Sequence, residues 1–246
     1  MSDAGALRVL AGPADAVPLL LHELLAVANA AAPPLVCFAT GATFAPFLRA
    51  LAASMAAGEL SPRAFRATHL DEYEGFGPAR RGGMVRELFD VCPPFAAMAE
   101  QGTFVPVPHV ADAAAIAVHE ARLAGMGGVS LLFAGVGRNG HVAFHEPGVP
   151  LERAFHTAEL AATTRDDARA RFLPDEPPRR AITAGIATIL QARRIVCCAF
   201  GGNKAAAVRA MFEGPAAPAC PASALRRHKN LQVLLDRDAA SVRSET

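Results

Sequence analysis

The sequence predicts an α/β protein with a doubly wound, mostly parallel sheet of Rossmann type and helices on both faces. Short apolar runs alternate along the chain with longer stretches of helical spacing, which is the pattern of consecutive βα units. Several runs, among them residues 195–200, are apolar at every position, as expected of strands buried on both sides. The 246 residues, 52% apolar and 19% charged, fit a single domain over residues 1–246.

The strand candidates are short apolar runs bounded by turn-forming residues. They cover residues 7–10, 35–38, 65–70, 103–107, 129–134, 181–183, 195–200 and 231–235. Helical spacing between these runs predicts helices at about residues 15–31, 45–57, 83–90, 111–124 and 204–212. Prolines and charges in residues 174–180 exclude both helix and strand, so we expect this segment to form a surface loop or, alternatively, a lid.

Composition and charge exclude several classes of protein. A net charge of +1 with no long basic run gives no footprint for nucleic acid or an anionic membrane. Residues 1–4 lack a basic segment ahead of an apolar one, and no apolar stretch approaches a membrane span, so we expect a cytoplasmic protein. Five cysteines form no CxxC pair, and three of them lie in apolar runs. We therefore expect buried thiols, with neither zinc nor disulfides.

Polar loops follow four of the predicted strands. Ligands of doubly wound sheets bind at the carboxyl ends of the strands, so these loops are the candidate functional segments. The loops lie at residues 39–43, 71–73, 135–147 and 201–204.

The loop at residues 135–147 carries the strongest chemical signal. It combines three glycines with His141 and Glu146, so its backbone can approach a small anion while the imidazole exchanges protons and the carboxylate orients it. A structural histidine beside an ordinary glycine-rich turn is the alternative. His141 stands where a dinucleotide fingerprint has its third glycine, and there is no phosphate-binding loop ending in Gly-Lys-Ser/Thr. No nucleotide cofactor is indicated.

Two other loops fit a phosphate group. Residues 40–43 put two hydroxyls and a glycine at a helix N-terminus, where free N–H groups and the helix dipole favour an anion. Simple capping of the helix by Thr43 is the alternative reading. Lys204 in the first turn of another helix opposes the dipole, which makes sense if an anion lies between them.

The four loops together resemble those of the glucosamine/galactosamine-6-phosphate deaminases over nearly the whole chain. The matching segments are Thr-Gly-Ala-Thr at 40–43, Leu-Asp-Glu-Tyr at 70–73, Gly-Val-Gly-Arg-Asn-Gly-His at 135–141 with Phe-His-Glu-Pro at 144–147, and Gly-Asn-Lys at 202–204. The related 6-phosphogluconolactonases typically have arginine after the acidic pair and a small-residue pattern after the histidine. Tyr73 and Glu146-Pro147 therefore favour the deaminase.

The resemblance implies isomerisation of a 2-amino-2-deoxyhexose 6-phosphate to a ketose 6-phosphate with loss of ammonia. It assigns Asp71 as the base that moves a proton from C2 to C1 and His141 as the group that assists ring opening, with Glu146 and Asn139 beside it. The phosphate would bind Thr40, Gly41, Ala42, Thr43, Arg171 and Lys204. Other residues of the substrate loops are Glu72, Gly135, Gly137 and Gly140. No metal or organic cofactor is implied.

The sequence departs from the family at several positions. Asn139 replaces the usual aspartate; its amide can accept a hydrogen bond from the imidazole but supplies no charge, so we expect Glu146 alone to stabilise the imidazolium. His145 replaces an asparagine, with no derivable effect. Asn139, Ser223 and the pair His228 and Asn230 resemble the galactosamine branch and favour the C4 epimer.

Quaternary structure and the rival functions stay open at this point. Residues 148–152 lack the serines and basic residues of the family's activator site, so activation is doubtful and a monomer or small oligomer is as plausible as a hexamer. Arg171 could instead be a solvated helix residue. Lactone hydrolysis is the second enzymatic reading. A sugar-phosphate sensor is the third, disfavoured because few residues precede the first strand and a sensor needs neither Asp71 nor His141.

Overall fold

A computed structural model describes residues 7–28 and 30–241 of the chain. The expectation for residues 1–4 lies outside the described residues. The strands are β1 (Leu7–Leu10), β2 (Leu35–Phe38), β3 (Arg66–His69), β4 (Asp71–Tyr73), β5 (Phe104–Val105), β6 (Val129–Gly135), β7 (His156–Glu159), β8 (Arg180–Thr183), β9 (Ile195–Ala199) and β10 (Leu231–Asp236). The helices are α1 (Ala16–Ala28), α2 (Ala45–Ala56), α3 (Met84–Val91), α4 (Pro94–Glu100), α5 (Ala113–Gly125), α6 (Ala162–Phe172), α7 (Ile186–Ile189), α8 (Ala205–Phe212) and α9 (Arg237–Ala240).

A seven-stranded sheet forms the centre of the molecule. Its strand order is β1-β10-β9-β6-β2-β3-β5, and every neighbouring pair is parallel. The strands β2, β9 and β10 are buried at every position, which explains the uniformly apolar sequences of β2 and β9. The predicted doubly wound, mostly parallel sheet is confirmed.

A second sheet of three antiparallel strands, in the order β4-β8-β7, was not predicted. Residues 71–73, predicted as a loop, form β4, which pairs with β8 (Asp71 opposite Thr183). Residues 181–183 were correctly predicted as a strand but lie in this sheet. Strand β7 was missed, because four residues of mixed polarity give no periodic signal and their partners are remote in sequence.

Two apolar clusters hold the sheets in place. In the large sheet, Phe38 of β2 contacts four other phenylalanine rings with centroids 4.9 to 6.3 Å away. A smaller cluster around Tyr73, Phe144 and Phe172 joins the second sheet to α6. Such offset and edge-on contacts suit aromatic packing. All five cysteines are buried, as predicted for the three in apolar runs.

Helix α6 is the largest element that the pattern missed. Seven of its eleven residues are polar or charged, three are alanines, and only Thr164 and Phe172 are buried. Amphipathic spacing therefore could not reveal it. In the described part of the chain, no helix is long and apolar enough to cross a membrane.

The fold brings the four polar loops to one edge. Strands β2, β6 and β9 are parallel neighbours, and β3 adjoins β2, so their carboxyl ends lie side by side. Helix α6 provides a further wall of the cleft that these ends form.

Candidate active site

A cavity of about 550 Å³ lies at the carboxyl edge of the large sheet. Ten of the predicted site residues line it: Thr40, Gly41, Ala42, Thr43, Asp71, Gly135, Gly137, His141, Arg171 and Lys204. Four others do not reach its wall: Glu72, Asn139, Gly140 and Glu146. The two side chains expected to move protons, Asp71 and His141, thus face the same space.

The imidazole of His141 is fixed from two sides. Its Nδ1 lies 3.2 Å from the hydroxyl of Thr164 and 3.6 Å from Oε2 of Glu146. On the other side it packs on Gly137, where a built Cβ would come within 2.2 Å of the ring. No residue with a side chain fits at position 137 while the ring stays in place. The Nε2 atom has no hydrogen-bond partner among the described residues.

Asn139 acts on Glu146 and not on the imidazole. Its Oδ1 accepts a hydrogen bond from the backbone N–H of His141 (3.1 Å), and its Nδ2 donates to Oε2 of Glu146 (2.9 Å) and to Thr163 (3.2 Å). The amide oxygen does not accept a hydrogen bond from the imidazole, because it accepts the backbone N–H of His141 instead. Asn139 therefore orients the carboxylate that faces the ring.

Glu146 is the acidic partner of His141. It is buried, and burial acts to raise its pKa. Hydrogen bonds with His141, Thr164 and Asn139 outweigh burial and hold the pKa of Glu146 below its usual range. A backbone N–H, that of Ala161, also donates to it. Glu146 is consequently a carboxylate at neutral pH.

Asp71 is the first residue of β4, just after the chain leaves the large sheet at the end of β3. It is 8% exposed. Burial raises the pKa of its carboxyl from 3.8 to about 8, and the neighbouring Glu72 acts in the same direction. The guanidinium of Arg171 opposes this shift, while Glu87 adds to it. In the free protein Asp71 is thus largely protonated at neutral pH, and a bound cation would favour its basic form.

Glu72 has a structural position. Its carboxylate accepts hydrogen bonds from the backbone N–H groups of Tyr73, Met84 and Val85, the last two at the start of α3. The side chain is completely buried. The prediction that Glu72 belongs to the substrate loop is wrong. Its carboxylate caps α3 and does not reach the cavity.

The loop at residues 40–43 offers free donors to the cavity. Gly41 adopts a φ of 89°, and the N–H groups of Ala42 and Thr43 have no acceptor within the described residues. Capping of α2 by Thr43 is wrong: Phe44 takes the N-cap position, and no side chain caps this helix. The loop therefore keeps the N–H groups of Ala42 and Thr43 for a ligand.

Two cations complete this end of the cavity. Lys204 is half-buried, and burial lowers the pKa of its ammonium group. Arg171 lies in the last turn of α6 and forms an ion pair with Glu87, 2.6 Å apart. Arg169, by contrast, is exposed and pairs with Asp166 and Glu176. Arg171 is therefore the arginine of this helix that a ligand could reach.

The remaining departures from the family have local roles away from the cavity. Nδ1 of His145 accepts from the N–H of Ile186, and Nε2 lies 3.3 Å from the carbonyl of Val149. Ser223 bonds to the carbonyl of Cys220. The other two residues of the galactosamine resemblance, His228 and Asn230, contact the backbone before β9 and lie outside the cavity.

Sequence reasoning missed several residues of the site. Thr164, Asp167 and Met84 line the cavity, and Asp167 pairs with Arg138 at 2.7 Å. Two of them lie on α6, which lacks an apolar pattern, and Met84 follows an irregular loop. The pair of hydroxyl side chains at Thr163 and Thr164 was the available sequence signal for these residues. The sequence alone gives no reason to place this pair beside His141.

Comparison with known proteins identifies related chains. Residues 15–234 match the family described as glucosamine-6-phosphate isomerases/6-phosphogluconolactonase. A glucosamine-6-phosphate deaminase of Cellvibrio japonicus is 37% identical over 213 residues, covering 84% of this chain and 80% of that protein. One from Streptomyces coelicolor is 38% identical over 213 residues, covering 82% and 79%.

Solved structures agree at the level of the fold. A monomeric glucosamine-6-phosphate deaminase of the NagB superfamily superposes with a TM-score of 0.86 and 27% identity, covering 97% of this chain and all of that one. A 6-phosphogluconolactonase from Trypanosoma brucei gives 0.75 with 20% identity, covering 96% and 98%. The lactonase likeness is one of fold.

Proposed function

The chain belongs to the family of glucosamine-6-phosphate isomerases and 6-phosphogluconolactonases, and we propose that it is a deaminase that converts glucosamine 6-phosphate to a ketose 6-phosphate and ammonia. The observation that carries the proposal is that Asp71, His141 and the phosphate donors line one cavity. Relatives named as deaminases cover most of the chain. The partner is a small sugar phosphate, and neither nucleic acid nor a membrane is involved.

Binding begins at the phosphate. The N–H groups of Ala42 and Thr43, the ammonium of Lys204 and the guanidinium of Arg171 form charge-assisted hydrogen bonds to it. These contacts fix the far end of the sugar, so that C1 and C2 lie between Asp71 and His141. His141 then exchanges the proton needed for ring opening through Nε2, while Glu146 holds Nδ1.

Asp71 performs the isomerisation. The cationic amine on C2 favours the carboxylate form of Asp71, which removes the C2 proton and leaves an enolamine. Return of this proton to C1 gives an iminium at C2. Addition of water to the iminium and departure of ammonia leave the ketose 6-phosphate. Every proton is carried by side chains already at the cavity, so no step needs a metal or organic cofactor.

The decisive experiment is incubation with glucosamine 6-phosphate and, separately, galactosamine 6-phosphate, following ammonia and ketose together. Equal amounts of both products are expected, with glucosamine 6-phosphate preferred, since two of the features that favoured the C4 epimer, His228 and Asn230, lie outside the cavity. Preference for galactosamine 6-phosphate would instead support the sequence resemblance.

Assay of 6-phosphogluconolactone hydrolysis separates the second enzymatic reading. Asp71→Asn should abolish ammonia release, because Asp71 is the group that removes the C2 proton, whereas His141 acts in ring opening. In a lactonase, Asp71 has no proton to move between carbons, so the same variant would keep its hydrolytic rate. Binding of the sugar phosphate without turnover would leave the sensor as the surviving function.

A further inference from the structure

Glu87 joins two groups of the proposed phosphate site. It lies on α3, where its Oε1 accepts a hydrogen bond of 3.0 Å from the N–H of Gly41. Its Oε2 lies 2.6 Å from Nη2 of Arg171. Both partners line the cavity, whereas Glu87 itself stands behind its wall. One carboxylate therefore holds a donor from the loop after β2 and a donor from α6.

Lys204 differs from Arg171 in this respect. No acidic group lies within ion-pair distance of its ammonium in the described part of the chain, although Asp167 is near enough to raise its pKa. Arg171 is half-buried, and its side chain is 27% exposed. The ion pair with Glu87 offsets part of the desolvation of this guanidinium while no ligand is bound.

We propose that Glu87 is an internal counter-ion that occupies phosphate-binding groups of the free protein and so weakens the binding of phosphate esters. The inference rests on the proposed function, which places the substrate's phosphate at this end of the cavity. Glu87 competes with the phosphate for the N–H of Gly41 and for one edge of Arg171.

Two physical arguments give the sign of the effect. One N–H group cannot donate a full hydrogen bond to two acceptors, so phosphate gains Gly41 only when Glu87 gives it up. At this end the cations Arg171 and Lys204 are opposed by Glu87, while the charge of Asp167 is balanced by its ion pair with Arg138. A phosphate dianion therefore meets a net charge of about +1 instead of +2, and it is repelled by the carboxylate.

An isosteric substitution separates competition from support. Glu87→Gln removes the charge but leaves an amide oxygen for Gly41. Arg171 keeps a second contact in this variant, because Nη1 also contacts the sulfur of Met84, one turn earlier on α3. If Glu87 merely holds Arg171 in place, the substitution weakens phosphate binding. If Glu87 competes, the substitution strengthens it.

The test measures thermal stabilisation of the full chain by inorganic phosphate, at ionic strength kept constant with sodium chloride. Each variant is compared with its own ligand-free Tm, so a change in basal stability does not enter. Asp90→Asn is the matched control: it removes one negative charge from an exposed position of the same helix, where Asp90 forms an ion pair with Arg86.

We expect Glu87→Gln to reach half-saturation at about tenfold lower phosphate than the wild type. Asp90→Asn should match the wild type. KM for glucosamine 6-phosphate should fall in parallel in Glu87→Gln. Stabilisation of Glu87→Gln where the wild type shows none also supports the inference.

Equal or weaker phosphate binding by Glu87→Gln, or no binding by either protein, overturns the inference, as does an equal gain in Asp90→Asn. The proposed function fails separately, through absence of ammonia release by the wild type. In that event the phosphate titration still decides whether Glu87 competes for an anion.

Discussion

The side-chain amide of Asn139 donates a hydrogen bond of 2.9 Å to Oε2 of Glu146, the same oxygen that lies 3.6 Å from Nδ1 of His141. A neutral donor thus steadies the carboxylate that faces the imidazole. The pair explains how an asparagine can occupy this loop without contacting the ring.

Asn139→Asp should raise the pKa of the Glu146 carboxyl by about half to one unit. The variant replaces an amide that donates to Glu146 with a second carboxylate, and two adjacent carboxylates raise each other's pKa. NMR of the side-chain carboxyl carbons across pH 3 to about 7 measures the shift. The control is Asp167→Asn, which removes a charge from the cavity wall away from Glu146. An unchanged pKa of Glu146 in Asn139→Asp would contradict the role given to the Asn139–Glu146 contact.

The wild-type kcat/KM should rise with pH up to about 8. A base is active in its deprotonated form, and burial and Glu72 raise the pKa of Asp71 to about 8 in the free protein. Because kcat reports the complex, where the substrate amine favours the carboxylate, its limb should lie at lower pH. A profile of kcat/KM that is flat from pH 6 to about 8 would show that Asp71 is not the limiting group.

Asp71→Asn should raise the Tm most at alkaline pH. The folded-state pKa of Asp71 lies above its ordinary value of 3.8, so the native state retains a proton that the unfolded chain loses. Stability associated with this group is full below pH 3.8 and is lost as pH rises through about 8. Each kcal/mol recovered corresponds to about 2–4 °C in a chain of this size.

Calorimetry of both proteins at pH 5 and pH 9 provides the check. The difference in Tm between Asp71→Asn and the wild type should be clearly larger at pH 9, and activity should be lost at both. A difference in Tm that does not depend on pH would mean that ionisation of the Asp71 carboxyl does not destabilise the folded protein.

Gly137→Ala should lower kcat by about 100-fold or more while the protein stays folded. The added Cβ would lie 2.2 Å from the His141 ring, which must leave its place beside Glu146 and Thr164. Gly125→Ala, at the end of α5 with nothing within 4 Å of the new Cβ, is the matched control. Steady-state kinetics with circular dichroism distinguish loss of position from loss of fold; an active Gly137→Ala would contradict the close packing.

Sequence and structure agree where the signal is periodic and local. The apolar runs 35–38 and 195–200 predicted buried parallel strands, and strand direction then placed the loops of Asp71, His141 and Lys204 at one edge. The prediction depended only on the rule that parallel strands end at the same side.

The remainder depends on contacts that no local pattern encodes. Glu72 and Asp71 are adjacent in sequence, yet one caps α3 and the other faces the cavity, because β4 turns successive side chains to opposite sides. The contact of Asn139 with Glu146 follows from the closed loop geometry. The contact of Glu87 with Gly41 depends on the packing of α3 beside the loop at residues 40–43, and the two residues are 46 positions apart in sequence.

Helix α6 covers the cavity but buries few apolar groups, and its ties to the rest of the molecule include the ion pairs Arg138–Asp167 and Arg171–Glu87. Opening this helix alone should require far less free energy than unfolding the central sheet. A sugar phosphate that spans Arg171 and the residues 40–43 would add a bond between the helix and the sheet edge. Bound substrate would then stabilise the helix that covers it, and amide hydrogen exchange in α6 would slow when the sugar phosphate is bound.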